Sequence, residues 1–461
     1  MKLKQLLAVV LIVTMALSLA ACGSDNREDG KVHISIGNWP SDTDPKNLER
    51  MENLKQEFIA QNPDISITTD TTYYDTRTLN LKGSAHQLVT LFSCPVTEVS
   101  TAINAGYAKP ITKLMDKYGF IDTMDSDLLD VLKGDDGEIY AIPTSANKQG
   151  LYINKNLFKK AGLVNADGSI KYPTTWDEVA ECAKTVKEKT GKAGFALANA
   201  NNVGGWLFLN IAKSYGVEFE TKNADGSYKA TFNTPEMVNA LQYIYDLKWK
   251  YDVLLDDLNI DLLGICKYLA TDQAAMMICS PPAQWLYSDY DMDFDNAYVV
   301  PIPAGPKGAY AQIGADVVMI SADATEEEAE ACIKWLMFNG NGPDISEEQV
   351  KTLKNRYAQW NESHKPVLAM DEFPIFTSGN AFEQRKLARA DYVNVDMKNF
   401  EKYFDSSANV NIFPEPTACA QQLYSVLDGV IQEILVNKDV NLEELAEKSC
   451  KDFQVNHLDK M

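Results

Sequence analysis

Tyr140-Ala-Ile-Pro-Thr-Ser-Ala-Asn-Lys-Gln-Gly-Leu-Tyr-Ile-Asn-Lys-Asn-Leu-Phe158 is the stretch from which the rest of the chain is read. Two short apolar runs of β type, residues 139–142 and 151–153, bracket a polar stretch that Pro143 and Gly150 exclude from a helix. The pattern predicts a crossover between two lobes, because α/β patterning continues on both sides of it. A chain of 461 residues is too long for one ordinary core, which agrees. A ligand site is expected beside the crossover.

The composition, 45% hydrophobic and 23% charged, is globular. A net charge of -22 argues against a nucleic-acid partner, whose phosphate backbone demands a concentrated basic face. At the N-terminus, Lys2 and Lys4 precede an apolar run at residues 6–17 and then Leu19-Ala-Ala-Cys22. This order is that of a secretory signal (residues 1–21) ending in a lipobox, and the run is short for a membrane span. Cys22 is therefore expected to carry the lipid, with residues 22–30 as a polar tether and the protein held on the extracytoplasmic face of the cell membrane. The other seven cysteines are scattered, odd in number and without a CxxC pair, which points to buried thiols rather than a zinc site or disulfide framework.

Along the chain, residues 32–36 read as a strand, 45–61 as a helix with Leu48, Met51, Leu54, Phe58 and Ile59 at helical spacing, and 65–69 as the next strand. A further strand is expected at 88–93, followed by Cys94-Pro95 and a helix that stops at Gly106. Loops at the carboxyl ends of strands are where open α/β sheets hold ligands, which makes Asn38, Trp39, Thr97 and Glu98 candidates. Beyond the crossover, Thr175-Trp-Asp-Glu178 opens a helix as a capping box, 195–197 reads as a strand, and the polar loop 199–205 leads into Trp206. Helices are expected from Thr234-Pro235 and from Thr325 to Phe338, strands at 274–278 and 317–320, and a return crossover at Pro303-Ala-Gly-Pro306. The tail reads as helical with one Pro-rich loop at 409–416. Asn-Ala-Asp-Gly-Ser occurs at Asn165 and again at Asn223 with different flanks, so turn chemistry rather than duplication accounts for it.

Enzyme motifs lack their contexts. Ser145-Ala-Asn-Lys148 and Lys189-Thr-Gly191 match penicillin-binding signatures, but the first lies in a Pro/Gly-bounded loop and the second at a helix end. Asp289, Asp291, Asp293 and Asp295 alternate like a calcium loop, but Phe294 and Val300 stand where Gly and Glu are needed, leaving a solvated acidic turn. The four histidines show no ligand spacing, so no metal or cofactor is expected.

Together the lipobox, the β-α-β start, Tyr140-Ala-Ile-Pro143 with Leu151-Tyr-Ile-Asn-Lys155, Pro173-Thr-Thr-Trp-Asp-Glu178 and Ala274-Ala-Met-Met-Ile-Cys-Ser-Pro281 resemble the family 1 extracellular solute-binding lipoproteins of ABC importers, relatives of maltose-binding protein. The resemblance implies a two-lobed α/β periplasmic-binding-protein-like fold with discontinuous lobes: residues 31–143 with 303–365, and 144–302 with 366–461. It implies hinges near Thr144, Pro303 and Lys365, a sugar or oligosaccharide ligand, delivery to the permease, a monomer, and no catalysis. Carried over by position, Asn147 is the polar crossover residue that contacts ligand, Thr97 and Glu98 belong to the first-lobe hydrogen-bonding loop, and Trp206 is the aromatic platform of the second lobe. The loop 280–285 resembles the family's Asn-Gly-Pro-Trp segment, with Pro282 where Trp is usual and Trp285, three residues on, as a candidate ligand residue. Residues 88–91 lack the family's Pro-Asp. The alternatives are a secreted carbohydrate-active hydrolase and a binder of a non-sugar solute such as a peptide.

Overall fold

In the computed structural model, which describes residues 30–405 and 407–461, the crossover stretch forms two strands belonging to different sheets. The expected signal segment and Cys22 lie outside the described residues. The strands are β1 (Val32–Ile36), β2 (Ile65–Thr69), β3 (Leu91–Pro95), β4 (Ala141–Lys148), β5 (Gly150–Asn154), β6 (Glu220–Lys222), β7 (Tyr228–Ala230), β8 (Met276–Cys279), β9 (Ala297–Val300), β10 (Ala304–Gly305), β11 (Gly308–Ile320) and β12 (Val410–Pro414). In the larger sheet β1 lies parallel to β2 and β3, while β11 is antiparallel to β3, β4 and β10 and parallel to β12. The smaller sheet has β5 between β8 and β9, and β6 and β7 form a separate hairpin.

Every residue of β5 is buried, as the central strand of a covered sheet requires. Asn154 ends it without leaving a polar group bare. Its amide nitrogen donates to Leu269 O at 2.9 Å and Asp272 Oδ1 at 2.7 Å, and its Oδ1 accepts from the backbone N–H of Leu157, capping the next helix.

Two apolar cores result. The first gathers Ile34, Phe58, Phe92, Ile142, Val317 and Trp335, and the second Leu151, Trp176, Phe208, Met277, Ile302 and Leu427. The chain changes core between β4 and β5, from Ile142 in the first to Leu151 in the second, and again within β11, from Ala311 in the second to Ile313 in the first. The return passage is thus not the loop expected at 303–306. Residues 304–309 form a hairpin, and the change of core comes later, within a 13-residue strand of which only 317–320 was expected. The expected Pro-rich loop at 409–416 likewise contains β12, paired with β11 from Ala309↔Val410 to Ile313↔Pro414. The third passage is not a single crossing near Lys365 either. Val367 lies in the first core and Leu368 in the second, yet Phe373, Phe376, Ala381 and Ala388 return to the first. Residues 373–388, expected with the second lobe, pack on the first because the helix Gly379–Arg389 lies against the helix Glu347–Glu362.

Thr144 has no register partner. Asp316 pairs with Ser145 and Val317 with Pro143, so the extra residue makes a β-bulge at the first passage.

Local caps explain why several helices begin where the sequence places them. Thr325 and Glu328 form a reciprocal capping box for the helix Glu326–Phe338. Thr175 caps the helix Trp176–Thr190, but the Glu178 carboxylate reaches one residue further back than a capping box requires, to the N–H and hydroxyl of Thr174, each at 2.7 Å. Residues 195–197 form no strand, although Ala196 donates its N–H to Met276 O at 2.8 Å. The two Asn-Ala-Asp-Gly-Ser segments fold alike: Asn165 and Asn223 each donate to the serine hydroxyl four residues on at 2.9 Å, and Gly168 and Gly226 take φ +84 and +88.

Candidate functional site

A cavity of about 1020 Å³ opens between the lobes at the crossover. Its floor comes from β4 and the residue after it: Ser145, Asn147, Lys148 and Gln149. Trp285 enters from the loop after β8, Tyr403 from the second core, and Tyr357 and Trp360 from the first-core helix Glu347–Glu362. Gly150 is needed here, since a Cβ would stand 2.9 Å from the Tyr403 ring, whose hydroxyl donates to Lys148 O at 2.9 Å.

Asn147 and Trp285, two of the expected ligand residues, thus line one cavity. Asn147 keeps its backbone in register with Gly314, while its side-chain Oδ1 is buried without a hydrogen-bond partner among the described residues. Gln149, which sequence reasoning missed, is 1% exposed, and neither end of its amide has a partner among the described residues. The signal was present: a glutamine between two apolar runs, at the point where the chain changes core. Leaving a buried amide unpaired costs about 1–3 kcal/mol, so the crossover presents amides suited to a hydroxyl-bearing ligand.

Thr97 lies elsewhere, in a second interlobe cavity of about 630 Å³ with Lys213, Glu220, Lys222 and Glu415. Thr97 is 4% exposed and its Oγ1 has no partner among the described residues. Glu98 is 3% exposed and lines neither cavity, but its charge acts on Glu415. Trp206 also lines neither and is anchored by donating its Nε1–H to Glu415 Oε1 at 2.9 Å. An ion pair between Lys222 and Asp135 spans this cavity.

Two expected residues are corrected. Trp39 is 5% exposed, donates its Nε1–H to Glu52 at 2.9 Å and packs 5.8 Å from the Trp335 ring, so it is a core side chain. Asn38 is exposed at φ 53, with its backbone N–H held by Thr72 O, and lines neither cavity. All seven cysteines beyond Cys22 are free thiols, and only Cys419 is not fully buried. No group of three or more potential metal ligands occurs among the described residues, and no helix there is long and apolar enough to cross a membrane.

Around the hinge strands, Asp316 accepts from Tyr73 Oη at 2.9 Å and from Ser145 Oγ at 3.0 Å. Burial, with the Asp316 and Glu98 charges adding to it, pushes Glu415 up to about 7 against the hydrogen bond from Trp206. Burial likewise lifts Glu220 to about 7. Glu415 holds its proton more tightly folded than unfolded, so its contribution to stability is full below pH about 4.5 and is lost as pH rises through about 7. Glu415→Gln keeps an acceptor for Trp206 and removes the ionisation. Its unfolding free energy at pH 8 should exceed that of the parent by about 1–3 kcal/mol, with the gap closing by pH 4.5. Urea titrations at the two pH values read this, and an equal gap at both would show that Glu415 does not titrate as described.

A sequence profile of the bacterial extracellular solute-binding proteins matches residues 45–343. A putative binding protein of Brucella abortus is 27% identical over 338 residues, 69% of this chain and 75% of that protein. An arabinooligosaccharide-binding protein of Halalkalibacterium halodurans is 22% identical over 282 residues, 60% of this chain and 61% of that one. Among solved structures, the cyclic alpha-maltosyl-1,6-maltose binding protein of Arthrobacter globiformis superposes with a TM-score of 0.63 at 20% identity, covering 92% of this chain and 98% of that one. The likeness to that structure confirms the two-lobed α/β fold expected from the crossover.

Proposed function

Because the chain belongs to the bacterial extracellular solute-binding proteins, a family of binding proteins that work outside the cytoplasm, we propose that its larger interlobe cavity captures a sugar or oligosaccharide for the permease of an ABC importer. The observation that carries the reading is the buried, unpartnered amide of Gln149 beside Asn147 at the passage between lobes, facing a cavity that also holds Trp285. Amides pair with hydroxyls that would otherwise be buried unsatisfied, and an indole face covers the C–H surface of a pyranose. Relatives named for arabinooligosaccharide and maltosyl-maltose binding support the class of ligand. The protein acts as a monomer without turnover, with lobes close to residues 31–146 with 313–365 and 149–311 with 366–461, the segment 373–388 crossing back. Cys22, in Leu19-Ala-Ala-Cys22, carries the lipid that holds it at the membrane.

A saccharide screen by thermal shift tests the binding. Ligand at about 100 times its Kd adds about 2.7 kcal/mol, a rise of several degrees, and the saccharide should be recovered uncleaved. Shifts from peptides alone, or accumulating cleavage products, would refute the reading. Mass spectrometry of the membrane-extracted protein should find acylated Cys22 at the N-terminus, and an intact Met1 would remove the anchor.

A further inference from the structure

The larger cavity carries a charge opposite to that of the chain around it. The net charge of the protein is -22, yet four cations line this cavity, Lys148, Arg385, Lys386 and Arg389, against the carboxyls of Asp371, Glu372 and Asp405. One carboxylate is already engaged, since Asp371 pairs with Arg389. A second is largely neutral at pH 7, because burial pushes Glu372 up to about 8.

The remaining cations are under-used. Lys148, Arg385 and Lys386 make no ion pair among the described residues, and Lys148 Nζ sits 4.7 Å over the Tyr403 ring. Arg385 donates from Nη2 to Gly340 O at 2.6 Å while its Nε–H is buried with no partner among the described residues. Arg389 is 5% exposed, lies 5.5 Å over the Tyr357 ring, and beyond its pair with Asp371 also leaves its Nε–H without a partner among the described residues. The two arginines stand one turn apart on the helix Gly379–Arg389, so their guanidinium groups lie on one face of it. Desolvated guanidinium groups with unmet donors are costly unless an anion completes them, and their planar fork suits the two oxygens of a carboxylate or phosphate.

We propose that the ligand is an anionic saccharide, with its carboxylate or phosphate group held by Arg385 and Arg389 and supported by Lys148, and its rings lying toward Trp285 and Tyr403. This deepens the saccharide-binding reading above and rests on it. The cationic wall selects the acidic member of a set of otherwise similar sugars.

Titration calorimetry on the purified protein tests it with three probes: trigalacturonate, a hexose phosphate and neutral maltotriose. One of the anions should bind at least about 10-fold tighter than maltotriose, with affinity falling as salt is added. Preference for the uronate identifies a carboxylate ligand, and preference for the ester a phosphate. Arg385→Gln should abolish the preference for the anion over maltotriose, and Lys148→Gln should reduce it in the same direction if the first variant does not fold. Equal or tighter binding of maltotriose, or an intact preference in the folded variants, overturns the inference and leaves the saccharide reading standing. Failure of all three probes, with saccharides also silent in the thermal screen, overturns both.

Discussion

Gly205→Ala is expected to cost the second lobe about 3 kcal/mol or more. Gly205 lies in the first turn of the helix Val203–Tyr215, where it crosses the helix Ala420–Val436. A Cβ at this position would stand 2.6 Å from Tyr424 Cα, with the Tyr424 carbonyl oxygen nearer still. The obstacle is backbone, so no rotamer change relieves it. The two helices cannot slide apart freely either, since the Asp428 carboxylate accepts the N–H groups of Asn202 at 2.6 Å and Gly205 at 2.7 Å, serving as an N-cap supplied by another helix. Gly429→Ala is the control. It sits on the same second helix with nothing within 4 Å of its would-be Cβ, and should gain up to about 1 kcal/mol from helix propensity. Urea unfolding of the two variants reads the difference, and equal effects would show that the helices are not in contact at Gly205.

Trp285→Ala should weaken saccharide binding about 10- to 100-fold with little change in melting temperature. Trp285 is only partly buried and lines the larger cavity, while its neighbours Leu286 and Tyr287, both almost fully buried, hold the short helix in place without it. Trp39→Ala should do the reverse, lowering stability by about 3–5 kcal/mol through loss of its packing on Trp335 and leaving affinity nearly intact. Calorimetric titration together with melting curves distinguishes them. A Trp285→Ala protein that unfolds early but binds normally would make Trp285 a core residue.

What the sequence revealed and what it hid follow the range of the interactions concerned. Val32–Ile36, Pro45–Gln61, Pro235–Tyr245 and Glu326–Phe338 are legible because alternation, apolar spacing and caps act over a few residues. β11 was mostly hidden, since Gly308-Ala-Tyr-Ala-Gln-Ile-Gly-Ala-Asp316 is rich in small residues and owes its extension to partners as distant as Val410 and Asn147. β12 was masked by Pro414 and Pro416 at an end where it pairs with only one described strand. Trp39 shared its residue type and strand-end position with a ligand platform, and only Trp335, almost three hundred residues on, reveals it as core. That Asn147 and Trp285 line one cavity was legible through resemblance and position. The cationic wall was not, because Lys148 and Arg385 meet only after the segment 373–388 has crossed back to the first lobe.

One ligand is expected to bridge the two lobes and close them about the passages after β4 and within β11, beside the bulge at Thr144. A ligand touching both lobes binds the closed form better, and only that difference can shift the population. Small-angle scattering of the protein, with and without the saccharide identified by thermal shift, measures it directly. The radius of gyration should fall at saturating ligand, and an unchanged radius with binding confirmed in the same sample would rule out ligand-driven closure.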